Sequence, residues 1–361
     1  MKKLLQLSLL FISSFLSTCP LVFAEQANST DKIKLSQELN TIVNAKAVKR
    51  VSPIYPRKAA IQKIEGWVQL SYTIEKDGSV SNISVLEHVG HKGFVSRAKQ
   101  ALEQWVFEPA KENGQVIQQF NATVQFDFSL GEHSTNIVSS QIYQLYEKAN
   151  EAIKQNDIAE TKRLIAQMTD IRKTNRDEHN LFNILRADLA GLEGDSYSQL
   201  YFLNKTSIKE SNTFSGEYIK VFNELKMQTA IKLNQIFDAQ QSLTKLKELS
   251  QDDNELTGYS MVEQLLDDYI KSNKSIVTEE IFKNGDLIVL SLVRNTFSID
   301  NVDGKINKLN FRCANQYSSF TYQQDNQWKI PQSWQECRIF VYGEENTSFT
   351  LTEYPFSSNK S

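Results

Sequence analysis

Cys313 and Cys337 are the residues whose types and spacing most directly suggest a chemistry. The chain carries three cysteines and four histidines. Cys19 falls inside an apolar leader, so an exported chain that loses its leader keeps one even pair. In an oxidising compartment such a pair is most simply a disulfide, and two buried free thiols are the alternative. Closing this 25-residue loop would stabilise its segment by roughly 3–4 kcal/mol on a chain-entropy argument. His88 and His91 are three apart, a spacing that suits a metal on a helix. They sit instead at a strand–helix junction, Glu87-His88-Val89-Gly90-His91, so no metal site is expected. His133 lies in a linker, Ser129–Asn136, and His179 on a polar helical turn beside Asp177 and Glu178. The pairs Asp252-Asp253 and Asp267-Asp268 read as solvated helix ends. No Gly-x-Ser-x-Gly, His-Glu-x-x-His or phosphate-cradling glycine loop is present. The sequence therefore nominates no catalytic residue, no metal and no cofactor.

The elements around these residues belong to more than one core. At 361 residues, 40% hydrophobic and 23% charged, the chain is long enough for two or three domains, and too apolar for wholesale disorder. Net charge is −3, and no segment holds the basic excess that phosphate-backbone binding needs, which excludes nucleic acid. Met1-Lys2-Lys3, the apolar run Leu4–Leu16 and the small residues of Val22-Phe23-Ala24 read as a secretory signal over 1–24, with a linker over 25–46. Two rivals are a lipoprotein signal through Leu16-Ser17-Thr18-Cys19 and an uncleaved anchor over 4–23, roughly long enough to span a bilayer.

Residues 47–130 read as one α+β unit. Pro56 suits the first turn of a helix over Arg57–Ile64, with Gly66 as its left-handed cap. Val68, Leu70, Tyr72 and Ile74 alternate with Gln69, Ser71 and Thr73, the pattern of a half-buried strand. Asp77-Gly78 turns the chain into a second strand, Val80–Leu86. Phe94, Ala98, Ala101, Leu102 and Trp105 recur at helical spacing. Phe120, Ala122, Val124, Phe126 and Phe128 then alternate with Asn121, Thr123, Gln125 and Asp127 as a third strand. Two helices on one face of a small antiparallel sheet result.

The ordered set Pro53-x-Tyr-Pro-x-x-Ala59, Ile64-Glu65-Gly66-x-Val68, Asp77-Gly78-x-Val80, Phe94, Trp105-x-Phe107-x-Pro109-Ala110 and Gly114 resembles the C-terminal domain of the TonB family. The resemblance implies recognition rather than catalysis: an extended segment of an outer-membrane transporter pairs onto the sheet edge. Carried onto this sequence, the partner-binding residues are Ile54, Tyr55 and Pro56 with Asn121, Thr123, Gln125 and Asp127, although a plain solvated sheet face reads equally well for the last four. The family's best-known members have glutamine where this chain has Ile54. Energy-coupling members also keep a histidine-bearing membrane anchor and a long proline-rich spacer, whereas the first histidine here is His88 and residues 25–47 contain no proline.

Residues 137–274, free of proline, read as about seven helices. Turns at Asp157, Asp195 and Gln235 lie 38 and 40 residues apart and resemble degenerate tetratricopeptide repeats, which imply a concave surface for a protein; a plain helical spacer reads equally well. Beyond Ile276, short strands over 287–293, 296–299, 305–312, 319–322, 338–342 and 348–351 form a small all-β domain over 276–361, with Trp328 and Trp334 in its core.

The expected fold class is thus α+β multidomain. The leading function is a non-enzymatic periplasmic adaptor that binds an extended peptide or envelope protein. Membrane contact is expected only if the N-terminus stays as an anchor. The alternatives are an anchored TonB-type energy transducer, and an envelope enzyme with carboxylate or serine chemistry in the C-terminal β domain.

Overall fold

A computed structural model describes residues 42–112, 114–130, 138–171, 176–283, 285–334 and 336–356. The signal segment 1–24, most of the expected linker, Cys19 and His133 lie outside the described residues.

The N-terminal part runs β1 (Ile42–Val43), β2 (Lys46–Lys49), α1 (Arg57–Ile61), β3 (Gly66–Ile74), β4 (Val80–Val89), α2 (Gly93–Leu102), β5 (Val106–Glu108), β6 (Lys111–Glu112), β7 (Gln115–Val116) and β8 (Gln119–Phe128). The main sheet is antiparallel in the order β4-β3-β8. Val68, Leu70, Tyr72 and Ile74 of β3 bury against Phe94, Ala98 and Leu102 of α2 and against Phe126 and Phe128 of β8. Two details depart from the sequence reading. The helix α1 is shorter, and Lys63 rather than Gly66 takes the left-handed position, with φ 50°. Gly66 opens β3 because a Cβ there would lie 2.1 Å from the Val89 carbonyl oxygen, so only glycine lets the backbones approach. Residues 42–49 also pair, β1 with β6 and β2 with β5, where the end of a linker was expected.

Seven helices follow among the described residues: α3 (Ser140–Lys154), α4 (Ile158–Asp170), α5 (Arg176–Leu192), α6 (Ser196–Asn204), α7 (Gly216–Lys232), α8 (Ile236–Leu249) and α9 (Asp253–Lys271). The turns α3–α4, α5–α6 and α7–α8 repeat one device. Asn156, Gly194 and Asn234 hold φ of 54°, 76° and 58°, the left-handed step that ends a helix. The next residue begins the following helix: Asp157 accepts from the Glu160 N–H and Asp195 from the Ser198 N–H. Gln235 occupies the same place in the third turn but caps nothing, and its side chain reaches Glu280 instead. Asp252 caps α9, and Asp267 and Asp268 lie close to its C-terminal end at Lys271.

The last part comprises β9 (Ile276–Ile281), β10 (Leu287–Leu290), β11 (Thr296–Asp303), β12 (Ile306–Arg312), β13 (Tyr317–Thr321), β14 (Gln327–Lys329), β15 (Arg338–Gly343) and β16 (Ser348–Glu353). They form two four-stranded sheets, β10-β15-β12-β13 and β14-β11-β16-β9. The sheets share a core of Phe297, Ile299, Leu309, Phe311, Val341 and Phe349, against which Trp328 and Trp334 pack. A disulfide joins Cys313 to Cys337, just beyond the paired ends of β12 and β15. Strand β9 is absent from the sequence reading because Thr278-Glu279-Glu280 breaks the apolar alternation.

These parts pack on one another. Ser71 and Thr73, expected on the wet face of a half-buried strand, are 0% exposed. The guanidinium of Arg312 on β12 donates to Ser71 Oγ at 3.2 Å and Ser84 Oγ at 2.7 Å, and lies over the Phe340 ring. On the same side, Trp67 meets His179 of α5 edge-on at 5.5 Å, and Arg176 lies over the Trp67 ring. The β3 stretch of the second face of the N-terminal sheet is therefore an interior surface, while Thr123 and Asp127 of β8 stay exposed. At the other joint, the Arg294 side chain donates to the carbonyls of Tyr269, Ile270, Ser272, Lys274 and Glu353, tying the C-terminal end of α9 to the β-sandwich.

Candidate recognition edge of the N-terminal sheet

Strand β8 is the last strand of its sheet, and among the described residues nothing pairs with its outer edge. An edge strand presents a row of backbone N–H and C=O groups that can extend the sheet with another chain. Its register against β3 runs from Gly66↔Phe128 to Tyr72↔Ala122, then slips by one residue before Ile74↔Gln119. This bulge breaks the simple alternation expected from the sequence. Phe120 leaves the set formed by Ala122, Val124, Phe126 and Phe128 and stacks at 6.0 Å on Tyr317 of the sandwich. Its neighbour Asn121 turns the same way and donates to the Glu336 carbonyl at 3.2 Å. No sequence signal marks that bulge, because Phe120 is as apolar as the residues it leaves.

The expected partner-binding side chains thus divide into three groups. Asn121 is held by Glu336, and Asp127 pairs with Arg176, so both are engaged within the chain. Gln125 donates to Asp127 at 2.7 Å, and Thr123 is exposed opposite the buried Ser71. Around the other end of the site, Ile54 is 70% exposed. Tyr55 points inward: its ring packs edge-on against Phe94 and Phe128, and its hydroxyl donates to the Ile64 carbonyl. Burial, helped by the nearby Glu65 charge, pushes the Tyr55 phenol up to about 12. Pro56 stands at the N-cap of α1, its fixed φ suited to a helix start. Ile54, Thr123 and the backbone of β8 are what the site offers outward; Tyr55 and Pro56 shape it from beneath.

His88 lies in β4 opposite Val68, and His91 accepts from the Gly93 N–H through Nδ1 at 2.9 Å. They occupy a strand and a turn rather than one helical face. Among the described residues, no three histidines, cysteines or carboxylates come together to hold a metal. None of their helices is long and apolar enough to cross a membrane.

Two helices and a three-stranded antiparallel sheet with β8 at one edge define a small α+β domain of a recognisable kind. Residues 51–130 match the family described as Gram-negative bacterial TonB protein C-terminal, and this segment is a TonB C-terminal domain. It is 38% identical over 78 residues to Protein TonB of Pseudomonas aeruginosa, covering 22% of each chain. It is 33% identical over 70 residues to Protein TonB of Yersinia enterocolitica, covering 19% of this chain and 28% of that one. The solution NMR structure of the Pseudomonas aeruginosa TonB C-terminal domain matches at 34% identity and a TM-score of 0.23, covering 25% of this chain and 90% of that one. The chain therefore spans only about a quarter of the length of the curated relatives it matches.

Proposed function

We propose that this chain is a non-enzymatic protein-binding component of a Gram-negative cell envelope, exported to the periplasm, whose TonB C-terminal domain captures an extended segment of a partner on the outer edge of β8. The observation that carries this reading is the unpaired edge of β8 in the order β4-β3-β8, within a segment matched to the TonB family. Main-chain pairing would supply affinity, and the surroundings of Ile54 and Thr123 would select the incoming side chains. An outer-membrane transporter is the partner class to try first, because the matched relatives are TonB proteins.

The same similarity favours an energy transducer over a passive adaptor. The packing of the later domains favours an adaptor: Arg312, Asn121 and Arg176 tie the recognition domain to residues 138–356, so the domain is not a free module on a tether. In the adaptor reading, the units 47–130, 137–274 and 276–361 act as one body, with the tetratricopeptide-like helix pairs offering a second protein surface.

The test is capture of extended envelope-protein peptides by Thr123→Pro and Val124→Pro proteins. Neighbouring residues in an antiparallel strand direct their N–H groups to opposite sides, so one of these prolines removes an outward donor and the other an inward one. The variant lacking the outward donor should stay folded and lose capture. Undiminished capture by both folded variants would end the strand-addition reading.

A further inference from the structure

A cavity of about 190 Å³ lies at the joint between the helix pairs and the β-sandwich, away from the edge of β8. Its floor comes from one face of β9. Thr278 and Glu280, two apart in a strand, point the same way. Glu280 accepts from Gln235 Nε2 at 2.5 Å, which shows that this face looks toward the α7–α8 turn. Asp238 of α8 lines the same space, and Tyr197 and Tyr201 of α6 close it from above.

The lining is unbalanced in charge. Burial pushes the Glu280 carboxyl up to about 7, and the Asp238 and Glu279 charges add to the shift; no cation contributes to its surroundings. Lys283 is the one cation among the described lining residues. It is drawn to the rim, where its Nζ donates to Ser198 Oγ at 2.7 Å and lies 5.8 Å from the centre of the Tyr201 ring. The other lining carboxylates are occupied. Asp238 accepts from Asn204, Glu279 from Thr350, and Glu353 from the Val293 and Arg294 N–H groups.

A second feature of the same strand face points to a ligand. Thr278 is 5% exposed, and its hydroxyl has no hydrogen-bond partner although it lines the cavity. It stands near enough to Glu280 to favour the ionised carboxylate, yet falls short of hydrogen-bond geometry. A buried hydroxyl without a partner destabilises the fold, and an incoming donor would recover that loss. A carboxyl whose hydrogen-bond partners are all neutral, a hydroxyl oxygen without a partner and aromatic walls together suit a positively charged donor. A divalent metal fits poorly, since no three ligating side chains converge among the described residues.

We infer that this cavity receives the ammonium group of a lysine side chain from a partner protein, with Glu280 as counter-ion, Thr278 Oγ1 as acceptor, and Tyr197 and Tyr201 flanking the alkyl stem. The cavity volume suits a single side chain rather than a folded element, and the open rim beside Tyr197 is the way in. This site is independent of strand addition at β8, so either can fail without the other.

The experiment is an NMR titration of the full chain with N-acetyl-lysine amide, following the Tyr197 and Tyr201 ring signals and the Glu280 carboxyl carbon. N-acetyl-norleucine amide serves as the neutral isostere. Saturable shifts with the lysine probe at millimolar concentration are expected, with none from the norleucine probe. The Glu280 carbon should move toward its ionised position, and Glu280→Gln should bind at least about tenfold more weakly, a loss of about 1.4 kcal/mol. Glu280→Gln keeps the volume of the side chain; Thr278→Val and the rim variant Tyr197→Ala provide further weakened proteins should it fail to fold. Equal responses to both probes, the same shifts produced by calcium, no saturable shift at all, or unchanged lysine affinity in any two folded variants would overturn the assignment.

Discussion

The Arg312 guanidinium lies 2.7 Å from Ser84 Oγ, a contact that joins the C-terminal sandwich to the sheet of the TonB-like domain. Arg312 is 2% exposed, its Nε has no partner, and no carboxylate among the described residues pairs with it. A buried arginine without a counter-ion is expensive to desolvate, so its value lies in filling the interface and in satisfying two serine hydroxyls.

Arg312→Ala should therefore destabilise the protein by about 2–4 kcal/mol, from a cavity and the orphaned Ser71 hydroxyl, while Ser84 keeps the Tyr342 hydroxyl at 3.2 Å. Arg312→Met, which restores volume without charge, should recover most of that loss. Urea midpoints measure both. Hydrogen exchange at β3 should rise in the alanine variant, because Ser71 and Thr73 lose their cover.

Arg294 acts differently, since its side chain donates to five backbone carbonyls, over distances of 2.6–3.3 Å. Removing it strands carbonyls at the end of α9 in an apolar joint. Arg294→Ala should cost roughly 3–5 kcal/mol. Arg294→Lys should rescue little, because a compact ammonium cannot span the same fan of acceptors. Thermal unfolding of the two variants beside the parent decides the matter.

Asp188 on α5 sets a pH dependence. Burial pushes its carboxyl up to about 7 from an ordinary 3.8, near Tyr146 and Tyr218, whose hydroxyls it helps to raise. The folded state thus holds this proton more tightly than the unfolded chain. Its contribution is fully present below about pH 4 and is lost as pH rises toward 7. Asp188→Asn should stabilise the protein at neutral pH by about 2–4 kcal/mol and flatten that part of the stability profile. Urea titrations at pH 5 and pH 8 test the sign: a variant no more stable than the parent at pH 8 contradicts it.

Loss of the Cys313–Cys337 bond should cost about 2–4 kcal/mol, read from guanidinium midpoints of Cys313→Ser/Cys337→Ser. The segment between the cysteines carries Tyr317 and Glu336, which meet Phe120 and Asn121. Mobility should therefore increase at the bulged end of β8 as well as in the sandwich, visible as faster hydrogen exchange at both places.

Local pattern made much of this chain readable. The Asp77-Gly78 turn, the apolar stripe of α2 and the caps at Asp157 and Asp195 depend on neighbours a few residues away, so their physics is written within short windows. The seven helices between Ser140 and Lys271 also follow from local spacing and the missing prolines. The bulge at Phe120 was not readable, because register is set by the strand alongside rather than by the strand itself. Strand β9 was equally hidden. Its Thr278-Glu279-Glu280 run looks soluble in isolation and becomes a strand only when β16 supplies hydrogen bonds along its length.

The sequence by itself determined the domain that carries the candidate recognition edge, since a short ordered set of turn, core and capping residues defines it. Tertiary structure alone decided what surrounds that edge. Ser71, Thr73 and Asn121 read as wet because polar side chains on alternate strand positions usually are. Ser71 and Thr73 are interior here, and Arg312 and Glu336, more than 200 residues away, bring matching polar groups to Ser71 and Asn121. Burial of polar groups depends on partners, and partners at that separation leave no trace in local spacing. The cavity at Glu280 has the same origin: it exists only where β9 meets the helix pairs.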